Sequence, residues 1–213
     1  MAKIRGKSVW RHLPFACTIP AHDEWTDPRV IEGLRKEVHT GALAEIQRKF
    51  DGSSKLYLLH GRLESDEGGG RRRVVVTSKL RDYLRLENPN HRKALTRVLV
   101  SAHKFAVEIL QYAKNPVPRE ERVCRYGCEM VETPEHVWLS CMGSEELVEL
   151  RKELHQRLVA LCSEDEVVML MTLDNDPTVQ FRVLMDLSQC VATLAEYAYG
   201  VEKILKKSPL ARR

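Results

Sequence analysis

Apolar residues recur every three or four positions along several long stretches of the chain, which is the spacing of one face of an α-helix. One stretch covers residues 28–50 and follows Asp27-Pro28, a pair typical of a helix N-terminus. Two more helices are predicted over residues 144–162 and 179–206. The clearest stretch spans five turns, with apolar side chains at Leu95, Val98, Leu99, Ala102, Phe105, Ala106, Ile109, Leu110 and Ala113. The pattern therefore predicts a mainly α fold.

The segment between the helix at residues 28–50 and the stretch that begins at Leu95 has a different pattern. Residues 55–63 and 71–77 are short, partly apolar runs on either side of three consecutive glycines at positions 68–70. This arrangement predicts two strands joined as a small β-hairpin, although residues 64–73 also fit a disordered surface loop. The three glycines lack the spacing of a phosphate-binding loop.

The composition excludes several broad classes of protein. Of the 213 residues, 43% are hydrophobic, which is enough apolar mass for a packed core. No apolar run approaches the ~18 residues of a membrane helix, and no apolar stretch of a signal peptide follows the basic start at Lys3 and Arg5. We therefore expect an intracellular protein, nuclear or cytoplasmic, with no membrane partner. Disulfides are rare in such compartments, so the isolated Cys17, Cys162 and Cys190 are expected to be small buried residues.

Charge is distributed unevenly along the chain. The formal net charge is only +4, but residues 71–125 carry 14 basic and 5 acidic residues. Residues 126–213 carry 9 basic and 15 acidic residues. A cationic block of this kind favours a polyanionic partner, although a few cations on a helix are also commonly a solvated face.

The remaining three cysteines lie within 18 residues of one another, with a histidine between them. They form the motif Cys124-x3-Cys128-x7-His136-x4-Cys141. Zinc prefers four tetrahedral thiolate and imidazole ligands, commonly in two close pairs. Here protein side chains fill all four positions, as in a structural site, whereas a catalytic zinc keeps one position open. The spacing predicts one structural Zn2+ and argues against hydrolysis at the metal.

Each ligand pair has the local sequence of a turn or of a helix end. Gly127 supplies conformational freedom between the two cysteines of the first pair. Thr133-Pro134-Glu135 is typical of a helix N-terminus and places His136 in the first turn of a short helix. On an ideal helix, His136 and Cys141 would lie about 140° apart. Cys141 is therefore expected at or beyond the end of that helix.

Together with the helix pattern, the metal motif divides the chain into four parts. Residues 1–77 are an N-terminal helix and hairpin region whose role the sequence does not indicate, and residues 78–123 are a basic helical segment. Residues 124–141 are a zinc knuckle, and residues 142–213 are a C-terminal helical region. The predicted architecture is a helical domain with a small β-hairpin and one zinc-knuckle-like insertion.

The metal motif resembles the C-terminal zinc-knuckle (CCHC) region of non-LTR, LINE-type retrotransposon reverse transcriptases. The flanking segments SKLRDY, NHRKALTR, PREERVC and ETPEH are also similar, and the resemblance covers about residues 78–205 with decreasing specificity. It implies that Cys124, Cys128, His136 and Cys141 are zinc ligands and that the region binds the RNA or target DNA of the element. The sequence lacks the aromatic-x-Asp-Asp pair of a polymerase and any endonuclease constellation. The chain therefore resembles the tail of such a protein, as a fragment or a stand-alone derivative.

The favoured hypothesis is a zinc-dependent module that binds RNA or DNA largely through the phosphate backbone. Its expected contacts are cations in and near the basic segment and one aromatic side chain that could stack on an unpaired base: Arg71, Arg72, Arg73, Lys79, Arg81, Arg92, Lys93, Arg97, Lys104, Arg125 and Tyr126. Trp138 is the weaker stacking candidate, because a tryptophan at that position is more often part of the core.

Two other classes of function are less favoured. A zinc-stabilised adaptor would bind a protein partner through the acidic C-terminal helices, and it is favoured if the cations prove to be scattered rather than clustered. An enzyme would need a catalytic set, and no histidine has an acid or nucleophile at a suitable spacing. We therefore expect no catalytic residue and no small-molecule substrate.

Overall fold

The computed structural model describes residues 17–18, 20–60, 63–65, 71–73, 81–172 and 176–210. The fold is mainly α, which confirms the predicted class. The chain divides into two compact units, one formed by Met1–Ser54 with Val75–Lys79 and the other by Lys55–Val74 with Leu80–Arg213. None of the described helices is both long enough and apolar enough to span a membrane.

The first unit contains one long helix, α1, at Pro28–Asp51. Its start confirms the prediction, because the Asp27 side chain accepts a hydrogen bond from the backbone N–H of Arg29 and Pro28 occupies the first helical position. A short 3-10 helix at His22–Thr26 precedes it. All of α1 is described, and none of its residues is fully buried. Its apolar stripe, including Ile31 and Ile46, is half-buried or exposed.

The second unit begins at Lys55, inside a 3-10 helix at Ser54–Leu59 that takes the place of the predicted strand. Backbone carbonyls of this helix accept hydrogen bonds from distant side chains and not from a neighbouring strand. The Ser101 hydroxyl donates to the Lys55 carbonyl, and the Arg182 guanidinium donates to the Tyr57 carbonyl. Two three-residue strands follow, β1 at Leu63–Ser65 and β2 at Arg71–Arg73. They pair antiparallel, with Leu63 opposite Arg73. The strand prediction over residues 55–59 is therefore wrong.

The long helix predicted over residues 95–113 is divided into two pieces, so that prediction is also wrong. Helix α2 spans Pro89–Leu99, and its Asn88 cap accepts hydrogen bonds from the first backbone N–H groups. Ser101 then adopts a φ of 50°, a left-handed conformation through which a helix does not continue. The short helix α3 follows at Ala106–Ile109, and a 3-10 turn continues it at Leu110–Tyr112.

The described residues after the metal motif contain four α-helices: α4 at Glu145–Leu161, α5 at Glu164–Thr172, α6 at Pro177–Asp186 and α7 at Val191–Lys207. The start of α4 confirms its prediction, because the Ser144 hydroxyl accepts from the backbone N–H of Leu147. The single helix predicted over residues 179–206 is wrong. Leu187 is extended and a 3-10 turn follows at Ser188–Cys190, so α6 and α7 are separate.

The core of the second unit lies where α7 packs against both α2 and α4. Trp138 is fully buried at its centre, with its ring 4.8 Å from that of Phe181 and 5.0 Å from that of Tyr197. The Tyr197 hydroxyl donates to the Trp138 carbonyl at 2.8 Å. Because Trp138 belongs to the segment between His136 and Cys141, the core fixes the position of the metal motif. Trp138 is a core residue, as the sequence favoured.

Candidate metal centre

A tight turn presents the first pair of candidate ligands, Cys124 and Cys128. Gly127 has a φ of +83°, which favours glycine, and its backbone N–H donates to the Cys124 carbonyl at 3.2 Å. The turn is closed by an isolated antiparallel bridge between Val123 and Val131. The Cys124 backbone N–H also donates to the Met130 carbonyl at 2.9 Å. These backbone bonds hold the two thiols on the same side of the turn.

A single π-helical turn at His136–Ser140, here called the ligand helix, presents the second pair. The Thr133 hydroxyl accepts from the backbone N–H of His136 at 3.1 Å, as expected for a cap. At the other end, the Cys141 backbone N–H donates to the His136 carbonyl at 2.7 Å. This five-residue hydrogen bond defines a π-turn, and it brings His136 and Cys141 together although an α-helix would separate them. Cys141 lies just past the helix in extended conformation, which confirms its predicted place.

The four candidate ligand atoms form one compact cluster. All of them lie within 4.8 Å of one another. The Cys141 sulfur is 3.7 Å from the sulfurs of both Cys124 and Cys128. Tetrahedral zinc with Zn–S bonds of about 2.3 Å requires sulfurs about 3.8 Å apart, whereas a disulfide would place them at about 2.05 Å. The spacing therefore fits sulfurs that share a metal ion.

The His136 ring fits the same interpretation. Its Nδ1 lies 3.4 Å from the Ser140 hydroxyl, whereas its Nε2 is buried with no hydrogen-bond partner among the described residues. A metal-binding histidine usually has an outer partner on one nitrogen and the metal on the other. Burial holds the pKa of His136 below its usual value, so the ring is neutral near pH 7, as a ligand must be.

Two of the three thiols would be costly to ionise without a cation. Burial raises the pKa of Cys124 to about 12, and it also raises the pKa of Cys141. The pKa of Cys128 is lowered, because hydrogen bonds from Cys141 and from the backbone of Met142 and Gly143 outweigh its own desolvation. A bound metal ion supplies the positive charge that stabilises closely spaced thiolates. The residues present therefore fit a metal ion.

A buried ion pair attaches the first ligand turn to the helical domain. Arg125, directly after the ligand Cys124, is 5% exposed in its side chain, and the Glu132 side chain that it contacts at 2.7 Å is 0% exposed. The same guanidinium donates to the carbonyls of Lys104, Leu205 and Ser208. The metal turn is thus connected to the end of α7 and to the segment before α3.

A second arginine attaches the ligand helix to α4. Arg151 donates to the carbonyl of Trp138 at 2.9 Å and to the carbonyl of Cys141 at 2.8 Å. It therefore satisfies acceptors at the end of the ligand helix, where carbonyls lack helical partners. The sequence shows only that a basic residue follows the motif, so this contact was not predicted.

The structure corrects one of the predicted nucleic-acid contacts. Arg125 is buried in its ion pair with Glu132, so its guanidinium is not accessible to a phosphate. It supports the metal turn instead. Tyr126 is half-buried with its hydroxyl inside the protein, so stacking of its ring on a base stays a prediction.

The other predicted contacts differ in accessibility. Lys93 and Lys104 are exposed, and Arg81 is half-buried. Arg92 donates to the Leu86 carbonyl at 2.6 Å, and Arg97 forms an ion pair with Glu202 at 2.8 Å. Lys79 lies outside the described residues, as do the side chains of Arg71, Arg72 and Arg73, whose backbone forms β2.

Helix α7 adds cations that the sequence did not associate with the basic segment. Tyr199, Glu202, Lys203 and Lys206 lie on one side of α7, because they are three, four and seven residues apart. This side borders α2, since Glu202 pairs with Arg97 and the Tyr199 ring lies 5.4 Å from that of His91. Lys206 also contacts Glu202, at 3.2 Å. The cations of the two helices therefore share one surface.

Comparisons of the chain with family models, with curated proteins and with solved structures find no match. The resemblance to retrotransposon zinc knuckles therefore remains a prediction carried by the ligand spacing and the flanking segments.

Proposed function

We propose that the chain is a zinc-dependent nucleic-acid-binding module that binds RNA or DNA through its phosphate backbone. The observation that carries this proposal is a surface formed by α2, α7 and the loop after α2, here called the basic surface. Its members are cations with accessible side chains: Lys93, Arg97, Lys104, Lys203 and Lys206. Glu202 lies among them and pairs with Arg97 and Lys206, and the five cations outnumber it.

The proposed metal is a single Zn2+ held by Cys124, Cys128, His136 and Cys141. Three thiolates and one imidazole in a tetrahedral arrangement suit zinc best among common biological cations. With all four positions filled by protein, the ion would have a structural role. Its function would be to hold the ligand turn and the ligand helix together in a segment with little apolar mass of its own.

The metal site supports the basic surface through Arg125. This residue follows the ligand Cys124, and its guanidinium donates to the Lys104 carbonyl and to the Leu205 and Ser208 carbonyls at the end of α7. The backbone of Lys104 and the end of α7, which carries Lys206, are thereby anchored to the same side chain. Loss of zinc is expected to weaken nucleic-acid binding by loosening this connection.

The proposed recognition depends on charge more than on bases. Lysines contact phosphates as point charges, and four of the five cations of the basic surface are lysines. We therefore expect steep salt dependence and little sequence preference. The same expectation suits a module descended from a retrotransposon reverse transcriptase tail, which the ligand spacing resembles.

A protein-interaction adaptor is the second candidate, favoured by one observation. A cavity of about 600 Å3 lies between the ligand helix and helices α4, α5 and α6. Its lining is mostly apolar, with Val148, Leu158, Val167 and Leu184 among the residues. Such a groove is a common docking place for an apolar helix face.

The test is a titration of the zinc-loaded full chain against single-stranded RNA and duplex DNA at two salt concentrations. The variant carries Lys93→Gln, Lys203→Gln and Lys206→Gln together. The matched control removes three exposed lysines from elsewhere, with Lys36→Gln, Lys114→Gln and Lys152→Gln. Both triple variants change the net charge equally, so only the position of the charges differs.

We expect the first variant to bind roughly tenfold or more weakly at low salt, with a salt slope shallower by about one for each phosphate that the variant no longer neutralises. The control should be affected much less. Equal decreases in affinity for both variants would show that binding is nonspecific charge attraction and not a property of the basic surface. A folded, zinc-containing chain that binds neither nucleic acid at low salt would refute the proposal and place the adaptor first.

A further inference from the structure

Cys162 and Cys190, which the sequence showed as isolated, come together in the second unit. Their sulfurs are 3.4 Å apart. Cys162 is the residue that ends α4, and Cys190 closes the 3-10 turn before α7. The backbone N–H of Cys162 donates to Leu158, and that of Cys190 donates to Leu187, each at 2.9 Å. Backbone hydrogen bonds therefore hold both residues at the contact.

We propose that Cys162 and Cys190 form a redox-active dithiol, which closes to an intramolecular disulfide by exchange with a low-molecular-weight disulfide such as glutathione disulfide. This site is separate from the zinc ligands and does not depend on the proposed nucleic-acid binding. It would make the C-terminal helices of the chain sensitive to the thiol–disulfide balance of their surroundings.

The geometry suits a disulfide better than a second metal site. A disulfide needs its sulfurs about 2.05 Å apart, so each would move by less than about 1 Å. Rotation about the side-chain bonds of residues at helix ends can supply this movement. Within the described part of the chain, the only group of three or more His, Cys or acidic side chains arranged to hold a metal is the one at Cys124, Cys128, His136 and Cys141. The Cys162–Cys190 pair therefore has no adequate ligand set.

The surroundings determine which sulfur reacts first. Cys190 is fully buried and Cys162 is only half-buried, so a disulfide from solution reaches Cys162 more easily. Burial raises the pKa of the Cys190 thiol to about 12, and contact with Cys162 and the charge of Glu166 contribute to the same increase. The thiolate is the nucleophile in disulfide exchange. Cys162 is therefore the attacking residue and Cys190 the resolving residue.

The exchange proceeds in two balanced steps. In the first, the Cys162 sulfur gives up its proton and attacks one sulfur of glutathione disulfide, which breaks that bond and releases one glutathione thiol. In the second, the Cys190 sulfur gives up its proton and attacks the Cys162 sulfur of the mixed disulfide, which releases the second glutathione thiol. The protein loses two protons and two electrons, and glutathione disulfide takes up both and is reduced to two thiols.

Closure would tie the end of α4 to the start of α7 around α5 and α6. The cross-linked loop runs from residue 162 to residue 190. A disulfide around a loop of this size restricts the unfolded chain and stabilises the folded one. For a chain of this length the melting temperature should rise by roughly 5 °C or more.

The test uses the zinc-loaded full chain, equilibrated in glutathione buffers of increasing oxidation. The readouts are the intact mass, the non-reducing peptide map and the metal content. The metal content shows whether the cysteines of the metal centre have been oxidised as well. We expect a loss of two hydrogen masses, a peptide linking Cys162 to Cys190, retained zinc and a higher melting temperature. Failure to form this link in buffer that oxidises a reference dithiol peptide would overturn the proposal.

Single-cysteine variants distinguish the attacking role of Cys162 from the resolving role of Cys190. With Cys190→Ala, the mixed disulfide at Cys162 cannot be resolved, so the chain should gain one glutathionyl mass at that residue. Cys162→Ala should form neither product at this site, and Cys17→Ser should behave as wild type. A link from Cys162 or Cys190 to another cysteine in preference to this one, or a Cys190→Ala chain that gains no adduct at Cys162, would contradict the assignment.

Discussion

The two ring nitrogens of His136 have the different surroundings that a metal-binding histidine needs. One ring nitrogen faces Ser140, and the other has no hydrogen-bond partner among the described residues. Changing His136 to Ala leaves three thiols around a position that needs four ligands. We expect the zinc affinity to fall by more than ~100-fold, which is the upper end of losses caused by outer-shell changes alone. Competition with a chromogenic chelator measures it.

The matched control for this variant is His155→Ala, which removes an exposed imidazole from α4 of the same unit. It should bind zinc as tightly as wild type. A His136→Ala chain with wild-type affinity would show that the imidazole is not a ligand.

The Arg125–Glu132 pair is the most deeply buried ion pair among the described residues. Changing Arg125 to Met leaves the Glu132 carboxylate in the interior without its guanidinium, and such a loss typically costs about 3–5 kcal/mol of the free energy of unfolding. Urea denaturation of the zinc-loaded chain measures it. The double variant Arg125→Met with Glu132→Gln should lose less than the sum of the single losses, because no charge is left unpaired. Additive losses would show that the two side chains do not interact.

His103 gives the chain a pH dependence that can be tested apart from the metal. Burial lowers the pKa of His103 to about 4. Below about pH 6.5 the unfolded chain binds a proton on the His103 ring, whereas the folded chain does not. The free energy of unfolding therefore decreases as the pH falls from about 6.5 towards 4. Linkage gives a loss of about 2 kcal/mol between pH 7.5 and pH 5 from this one group.

The comparison variant is His103→Leu, because leucine has no group at this position that can bind a proton. Urea unfolding at pH 7.5 and pH 5 with saturating zinc should show a smaller pH effect in the variant than in wild type, by about that amount. Equal pH effects in the two chains would mean that His103 is accessible to protons in the folded state.

The cluster of candidate metal ligands could be predicted from the sequence because each pair is local. Cys124 and Cys128 are joined by one turn, and His136 and Cys141 by one helical turn. The surroundings of the site could not be predicted, since Arg125 contacts the carbonyls of Leu205 and Ser208, some eighty positions away. No spacing rule in the sequence distinguishes such a buried arginine from a free one.

At the scale of elements, Gly143 has no room for a side chain, whereas Gly33 has open space around it. A Cβ at Gly143 would lie 2.7 Å from the Tyr126 Cβ and would also meet the Tyr126 carbonyl. The Cys141–Ser144 loop must therefore shift. We expect Gly143→Ala to cost about 1–3 kcal/mol, the usual range for overpacking, measured by thermal unfolding of the zinc-loaded chain.

Gly33→Ala is the control for this change. Gly33 is in α1, and a Cβ there meets nothing within 4 Å. Alanine stabilises a helix interior by up to ~1 kcal/mol relative to glycine, so the variant should be at least as stable as wild type. A Gly143→Ala chain that is equally stable would mean that the Cys141–Ser144 loop has room to move.

Two helices whose starts are marked by capping residues were predicted well, and breaks without such marks were not. Asp27-Pro28 and Ser144 locate the starts of α1 and α4. Nothing local marks the break at Ser101, because Phe105 and Ala106 continue the apolar spacing. The break depends on the Lys55 carbonyl and the Glu132 carboxylate, which bind Ser101 and the backbone of Ala106 from distant parts of the chain.

At the scale of the whole molecule, the cations show why a charge count along the chain is an incomplete guide. The sequence grouped Arg125 with Lys93 and Lys104 because they are near one another in the chain. Folding places Arg125 inside and brings Lys203 and Lys206 beside α2 from about a hundred positions away. The basic surface therefore combines a predicted element with one that was not predicted.

The metal centre is the feature on which the proposed function depends, because a bound ion would hold the turn whose Arg125 contacts the Lys104 carbonyl and the end of α7. Native mass spectrometry of the purified chain tests it most directly. We expect the mass of one zinc ion per folded chain, removed by treatment with a strong chelator and absent from the Cys128→Ser, Cys141→Ser double variant. A folded wild-type chain with no metal, or a double variant that retains it, would contradict the account.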